Sequence, residues 1–136
     1  MEIKPLIQND LIFIPEILPP GWDSALPSIQ FYTTSTFCFP IKVSIDHKLV
    51  GTGTAIIHND VGWLAHIIVH PDHRNQGIGK LITESLADIA HSKNCATLYL
   101  LATELGEPVY RKLGFETETE YLFFKGENPV GRGIHD

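Results

Sequence analysis

The feature that most constrains this chain is the stretch Val69-His70-Pro71-Asp72-His73-Arg74-Asn75-Gln76-Gly77-Ile78-Gly79-Lys80-Leu81. An apolar run of strand length with β-branched residues, 63–69, leads into it, and a run with helical apolar spacing, 78–90, leads out. Pro71 ends the strand, and Gly77 and Gly79 stand where the helix begins. The first-turn amides of a helix have no intrahelical partner, the helix dipole adds positive potential, and glycine lets an anion approach the backbone. The stretch therefore reads as a strand, a phosphate-binding loop and a helix.

Three glycine-loop patterns compete for it. A P-loop needs glycine at Arg74 and serine or threonine at Leu81, and fails at both. The dinucleotide pattern G-x-G-x-x-G needs a third glycine at Ile82. What fits is Arg-x-x-Gly-x-Gly after a strand ending in Val-His-Pro, which resembles the acetyl-CoA-binding motif of the GNAT superfamily of N-acetyltransferases. Val109-Tyr110-Arg111-Lys112-Leu113-Gly114-Phe115 is similar to that superfamily's second signature, and the strand-like run 96–103 lies between the two. The resemblance covers residues 49–124 and implies an α/β fold: a mixed central sheet with a strand–phosphate loop–helix–strand unit and helices on both faces.

Residues 1–136 suit a single domain, with 126–136 polar, Gly-rich and expected to be a loose tail. A chain of this length buries about two-thirds of its unfolded surface, enough for a core. No apolar run is long enough for a membrane span, and the start Met1-Glu2-Ile3-Lys4-Pro5 lacks a signal-peptide pattern. A net charge of −6 without a basic cluster beyond Arg111-Lys112 argues against a nucleic-acid partner and mildly favours a cationic substrate. Cys38 and Cys95 have no redox or metal spacing and read as free thiols in a cytoplasmic protein.

In chain order, residues 2–7 suit a short strand, and Asn9 or Asp10 caps a following helix whose apolar face is Leu11, Ile14, Ile17 and Leu18, with Pro15 as a kink. Residues 22–32 form a second helix interrupted at Pro27, and 33–40 a loop. Trp22, Phe31, Tyr32 and Phe37 are expected to be core ahead of substrate wall. A hairpin joins 41–46 to 49–58 through His47-Lys48, with Gly51 and Gly53 marking a bulge or a close neighbour. After Asn59-Asp60 comes the central strand, 62–69, covered on both faces. The helix after the loop turns Ile78, Leu81, Ile82, Ser85, Leu86 and Ile89 inward and stops at Asn94. The strand 96–103 then pairs parallel to the central one; 104–113 form a short helix closed by Gly114, and 115–125 a last strand, with a bend.

The resemblance implies direct acetyl transfer from acetyl-CoA to a primary amine of a small molecule or protein, in a ternary complex with no covalent enzyme intermediate. Amides of Asn75, Gln76, Gly77, Ile78, Gly79 and Lys80, with Arg74, would hold the pyrophosphate. The backbone of Ile67, Ile68 and Val69 would pair with the pantetheine arm, provided the two parallel strands splay apart. An amide at or beside Ile68 would polarise the thioester carbonyl. Tyr110 matches the general-acid position, at about pKa 10 against about 8.5 for a thiol. The superfamily's usual base positions hold Ala65 and Trp63, leaving His66, Glu104, Asp60 or water as the base; alternation turns His66 to the other face unless a bulge reverses it. His66, His70 and His73 lack a carboxylate or cysteine at a recognised metal spacing, so no metal is expected. Glu116, Glu118 and Glu120 read as a solvated strand face.

The missing base residue motivates a second reading, a non-catalytic acyl-CoA-binding or regulatory module. A third is one half of a tandem acetyltransferase, or a homodimer, in which a partner completes the sheet where the last strand pair stops short.

Overall fold

The computed structural model describes residues 1–101, 116–117 and 123–127. Its strands are β1 (Glu2–Pro5), β2 (Cys38–Ile45), β3 (Lys48–His58), β4 (Val61–Val69), β5 (Thr97–Leu101), β6 (Glu116–Thr117) and β7 (Phe123–Glu127). They form one seven-stranded sheet in the order β1-β2-β3-β4-β5-β7-β6. Only β4 and β5 run parallel; the other neighbours are antiparallel. Helix α1 (Ala25–Thr34) and a 3-10 helix (Gln8–Glu16) cover one face, and α2 (Ile78–Ser92) covers the other. The expected mixed sheet with helices on both faces is thus the observed one.

Each face has its own core. On the α2 side Ile78, Ile82, Leu86, Ala87 and Ala90 pack on Val43, Val50, Ala55, Leu64, Leu98 and Leu100. The buried stripe is rotated from the expected one: Thr83, Ala87 and Ala90 are buried, whereas Leu81 and Ser85 are not. Small side chains let the helix sit close to the sheet. A Cβ on Gly53 would lie 2.6 Å from Ile82 and one on Gly51 2.9 Å from the same residue. Those glycines therefore mark a close neighbour, and register shifts accompany them too, one in β2–β3 pairing between Val43 and Ser44 and one in β3–β4 pairing between Thr52 and Thr54, at Gly53. On the α1 side Leu6, Ile14, Ile17, Ile29, Tyr32, Cys38, Leu49 and Ile68 form the second core.

Several local expectations change. The first helical segment is 3-10, and Asp10 does not act as its N-cap residue: Ile7 holds that position, and the Asp10 carboxylate accepts from the Ile7 amide at 2.9 Å. The same carboxylate pairs with Lys42 of β2 at 2.8 Å, both side chains largely buried, which ties this segment to the sheet. Pro27 does not interrupt α1; it lies in the first turn, where a missing N–H leaves no bond unmade. The expected loop 33–40 is shorter, because α1 runs to Thr34 and β2 begins at Cys38. Pro40 is tolerated inside β2 because its carbonyl accepts from Leu6 on the β1 side. Its absent N–H lies on that side too, past the last β1 pair, Pro5↔Ile41.

The hairpin turn is Asp46-His47, both at positive φ (50° and 66°), as a two-residue turn matched to strand twist requires. The end of the sheet is completed by this chain itself: β7 lies between β5 and β6, and β6 pairs with β7 through Glu116↔Lys125. Among the described residues two paired strands thus stand where a single bent strand is expected. Gly126 and Glu127, assigned to the tail, belong to β7. The expected helix over 104–113, Gly114, and the rest of the tail lie outside the described residues. Among the described residues no helix is long and apolar enough to cross a membrane.

Candidate active site

The site is built around the far half of β4. Its first half is paired on both sides: parallel to β5 from Val61↔Thr97 to Leu64↔Leu100, and antiparallel to β3. Among the described residues the pairing with β5, itself described to Leu101, runs to Leu64↔Leu100, and β4 continues through Ala65, His66, Ile67, Ile68 and Val69 beside β3. Pairing of Ile67, Ile68 and Val69 with an extended ligand requires their other backbone edge to be open.

A bulge re-aims the side chains there. Thr52 faces Ile68 and Thr54 faces Ala65, so Gly53 alone stands opposite His66 and Ile67. The pleat changes phase: Leu64 packs in the α2 core, whereas Ile68, four residues on, packs in the α1 core. His66 carries the bulge at φ 52°, a conformation for which this kind of bulge ordinarily uses glycine. The condition attached to His66 is met, and the residue faces α1. Its Nδ1 lies 2.9 Å from the Tyr32 hydroxyl. Burial pushes the imidazole pKa below its ordinary value, and burial followed by the nearby Cys38 pushes the Tyr32 phenol above its own.

Beyond Val69 the chain makes a tight turn. His70 caps the short helix Pro71–His73, its Nδ1 accepting from the Asp72 amide at 3.0 Å. Rings of His70 and His73 meet edge to face at 5.6 Å, and no group of metal-binding side chains occurs among the described residues. Arg74 Nε donates to the Val69 carbonyl at 3.4 Å, tying the loop to the strand end. Asn75 (φ 62°) and Gly77 (φ 82°) both take the left-handed conformation, which turns the backbone into α2. Gly77 is the N-cap of α2, no side chain caps it, and a Cβ there would meet nothing within 4 Å. The amides of Ile78, Gly79 and Lys80 thus open onto an exposed helix start, the condition for holding a phosphate.

Of the remaining base candidates, Asp60 precedes β4 at its opposite end. Its carbonyl accepts from Ala96 and its side chain, after burial, is the second influence raising the Cys95 thiol pKa. At about 3.3 Å per strand residue it lies roughly 26 Å along the strand from Ile68. Cys95 is buried with a raised pKa, the opposite of an activated nucleophile. Glu104 and Tyr110 lie outside the described residues. Among the four aromatics, Tyr32 is buried and Trp22 packs at the rim of the α1 core, while Phe31 and Phe37 are about half exposed, their rings 6.0 Å apart. Trp63 stacks on Tyr99 at 4.8 Å. Sequence reasoning missed the Tyr32–His66 pair, since no spacing rule links a helix hydroxyl to a strand imidazole 34 residues away.

The mixed sheet, with its parallel β4–β5 pair and the uncapped helix that follows β4, defines an α/β protein. The chain belongs to the acetyltransferase (GNAT) family, whose sequence profile matches residues 9–115. It is 38% identical over 82 residues to a glucosamine 6-phosphate N-acetyltransferase of Trypanosoma brucei brucei, covering 55% of this chain and 56% of that one. To the enzyme of the same name from Schizosaccharomyces pombe it is 31% identical over 75 residues, covering 50% and 68%. The chain thus spans only about half of the first relative's length. In fold it is similar to the PaiA N-acetyltransferase of Thermoplasma acidophilum, solved in complex with coenzyme A, with a TM-score of 0.78, 18% identity, and 91% and 95% of the two chains covered.

Proposed function

We propose that this protein transfers an acetyl group from acetyl-CoA to a primary amine in a ternary complex. The observation that carries the reading is the run of β4 through Ile67, Ile68 and Val69 and its turn into the uncapped start of α2 at Gly77. In this reading the amides of residues 75–80, with Arg74, hold the diphosphate, and the backbone of Ile67, Ile68 and Val69 holds the pantetheine arm. An amide at or beside Ile68 polarises the carbonyl, and Tyr110 returns a proton to the departing thiolate. Acetyl-CoA supplies the activated acyl group; the protein supplies position, polarisation and proton transfer. The family and its named relatives support catalysis over a purely binding module. The two buried free thiols fit a reducing compartment, and we place the protein in the cytoplasm.

The test pairs calorimetric titration of acetyl-CoA and CoA with a turnover assay over an amine panel. The relatives put phosphorylated amino sugars in that panel, and the exposed rings of Phe31, Phe37 and Trp63 put arylalkyl amines beside them. Saturable binding with turnover of at least one amine is expected. Binding without turnover across the panel would return the protein to the binding-module reading, and no binding would overturn both.

A further inference from the structure

We propose that His66 is the base that accepts the acceptor amine's proton, and that Tyr32 is its positioning residue. The proposal rests on the acetyl-transfer reading and assigns the one role that the motifs leave open.

Three observations converge. His66 immediately precedes the strand segment 67–69 assigned to the pantetheine arm, and the bulge turns it toward α1. Its backbone adopts φ 52°, so a histidine occupies a position for which glycine is the ordinary choice. Its Nδ1 is held by the hydroxyl of a tyrosine only 8% exposed, at 2.9 Å. For Nε2 to accept, the neutral ring carries its proton on Nδ1 and donates it to the Tyr32 oxygen, a contact that the 2.9 Å separation allows.

The step balances. As the alkylammonium gives up a proton, its N–H bond breaks and an N–H bond forms at His66 Nε2. The neutral amine attacks the thioester carbonyl, the C–N bond forms, and the C–S bond breaks. The remaining excess proton on nitrogen goes to the thiolate through the general acid. The imidazolium's Nδ1–H donates to Tyr32 Oη, and His66 afterwards releases its proton to solvent. A phenol in this place orients the ring without the negative charge a carboxylate would add. With burial it leaves the imidazole neutral, and so able to accept, at neutral pH. The groups around it are consistent with this. Tyr32 from α1 bonds the ring, Cys38 from β2 lies near Tyr32, and on the same side Asp10 and Lys42 pair with each other. From β3 the bulge is faced by Gly53 and Thr54, neither of which titrates.

His66→Asn and Tyr32→Phe test it. Asparagine tolerates positive φ and still pairs with the Tyr32 hydroxyl, so this variant keeps the bulge and removes only the basic nitrogen. His66→Asn is expected to lower kcat about 100-fold with CoA affinity unchanged, and to abolish the acidic limb of the kcat/KM pH profile. Tyr32→Phe is expected to lower kcat about tenfold and to move that limb to lower pH, because the imidazolium loses its acceptor. Near-wild-type kcat and limb in His66→Asn would overturn the base. Losses of kcat matched by losses of CoA affinity would overturn it in favour of a structural role. Nitrogen-15 NMR titration of His66 needs no acceptor and separates this proposal from the reading beneath it. A pKa below the ordinary histidine value that falls further in Tyr32→Phe is expected, and a titration indifferent to that substitution would overturn the positioning role.

Discussion

The two halves of β4 are both mainly apolar and differ in what surrounds them. Val61, Gly62, Trp63 and Leu64 are hydrogen-bonded on both edges, and Leu64 is 1% exposed in the α2 core. Ala65, His66, Ile67, Ile68 and Val69 lie beside β3, contain the bulge, and lead into the loop before α2. The first half packs in the α2 core; the second carries the bulge and is the segment that the proposed function assigns to the pantetheine arm. In that reading apolar residues in a central strand do not mark the whole of it as core, because backbone pairing is what binds the ligand.

The largest expected effect breaks the first half. Leu64→Ala removes a buried side chain from among Ala55, Ala90 and Leu98 and is expected to destabilise the protein by about 3 kcal/mol in urea unfolding, while the folded fraction binds CoA normally. Next comes the second half's continuation. Gly77→Asp keeps a residue that tolerates positive φ and favours a helix start, so stability should change by about 1 kcal/mol or less. Its carboxylate competes with the diphosphate, and calorimetry should show CoA affinity falling about 100-fold, near 2.7 kcal/mol. Equal losses of stability and affinity in both variants would erase the distinction between the halves.

Gly53→Ala sharpens the comparison at the bulge. The new methyl lies 2.6 Å from Ile82 and 3.2 Å from Ile67, so side chains must shift, at about 1–2 kcal/mol of stability by thermal or urea unfolding. The smallest effect is a pH dependence. His66 has a folded pKa below its unfolded value, so the unfolded state binds more protons between the two. Its contribution is fully present above about pH 6.5 and is lost as pH falls through the folded pKa. Urea midpoints between neutral and mildly acidic pH should fall less steeply in His66→Asn than in wild type.

The fold was legible where the sequence repeats a period or breaks one. The strand into the Gly77–Gly79 turn, the helix after it and the parallel return all follow from apolar spacing. The N-terminal 3-10 helix was misread because Leu11, Ile14 and Ile17 satisfy both helical periods nearly equally over so short a run. The final hairpin was read as one strand because β6 is only two residues long. Around the candidate site, the turn into α2 was legible because the positive φ at Gly77 demands particular residues. The bulge at His66 was not, because histidine stands where glycine would have signalled it.

Amide hydrogen exchange along β4, with and without CoA, tests the central claim most directly. The account predicts that protection rises within residues 65–69 and at the first turn of α2, while residues 61–64 stay as protected as before. Protection that rises evenly along β4, or nowhere in its second half, would contradict it.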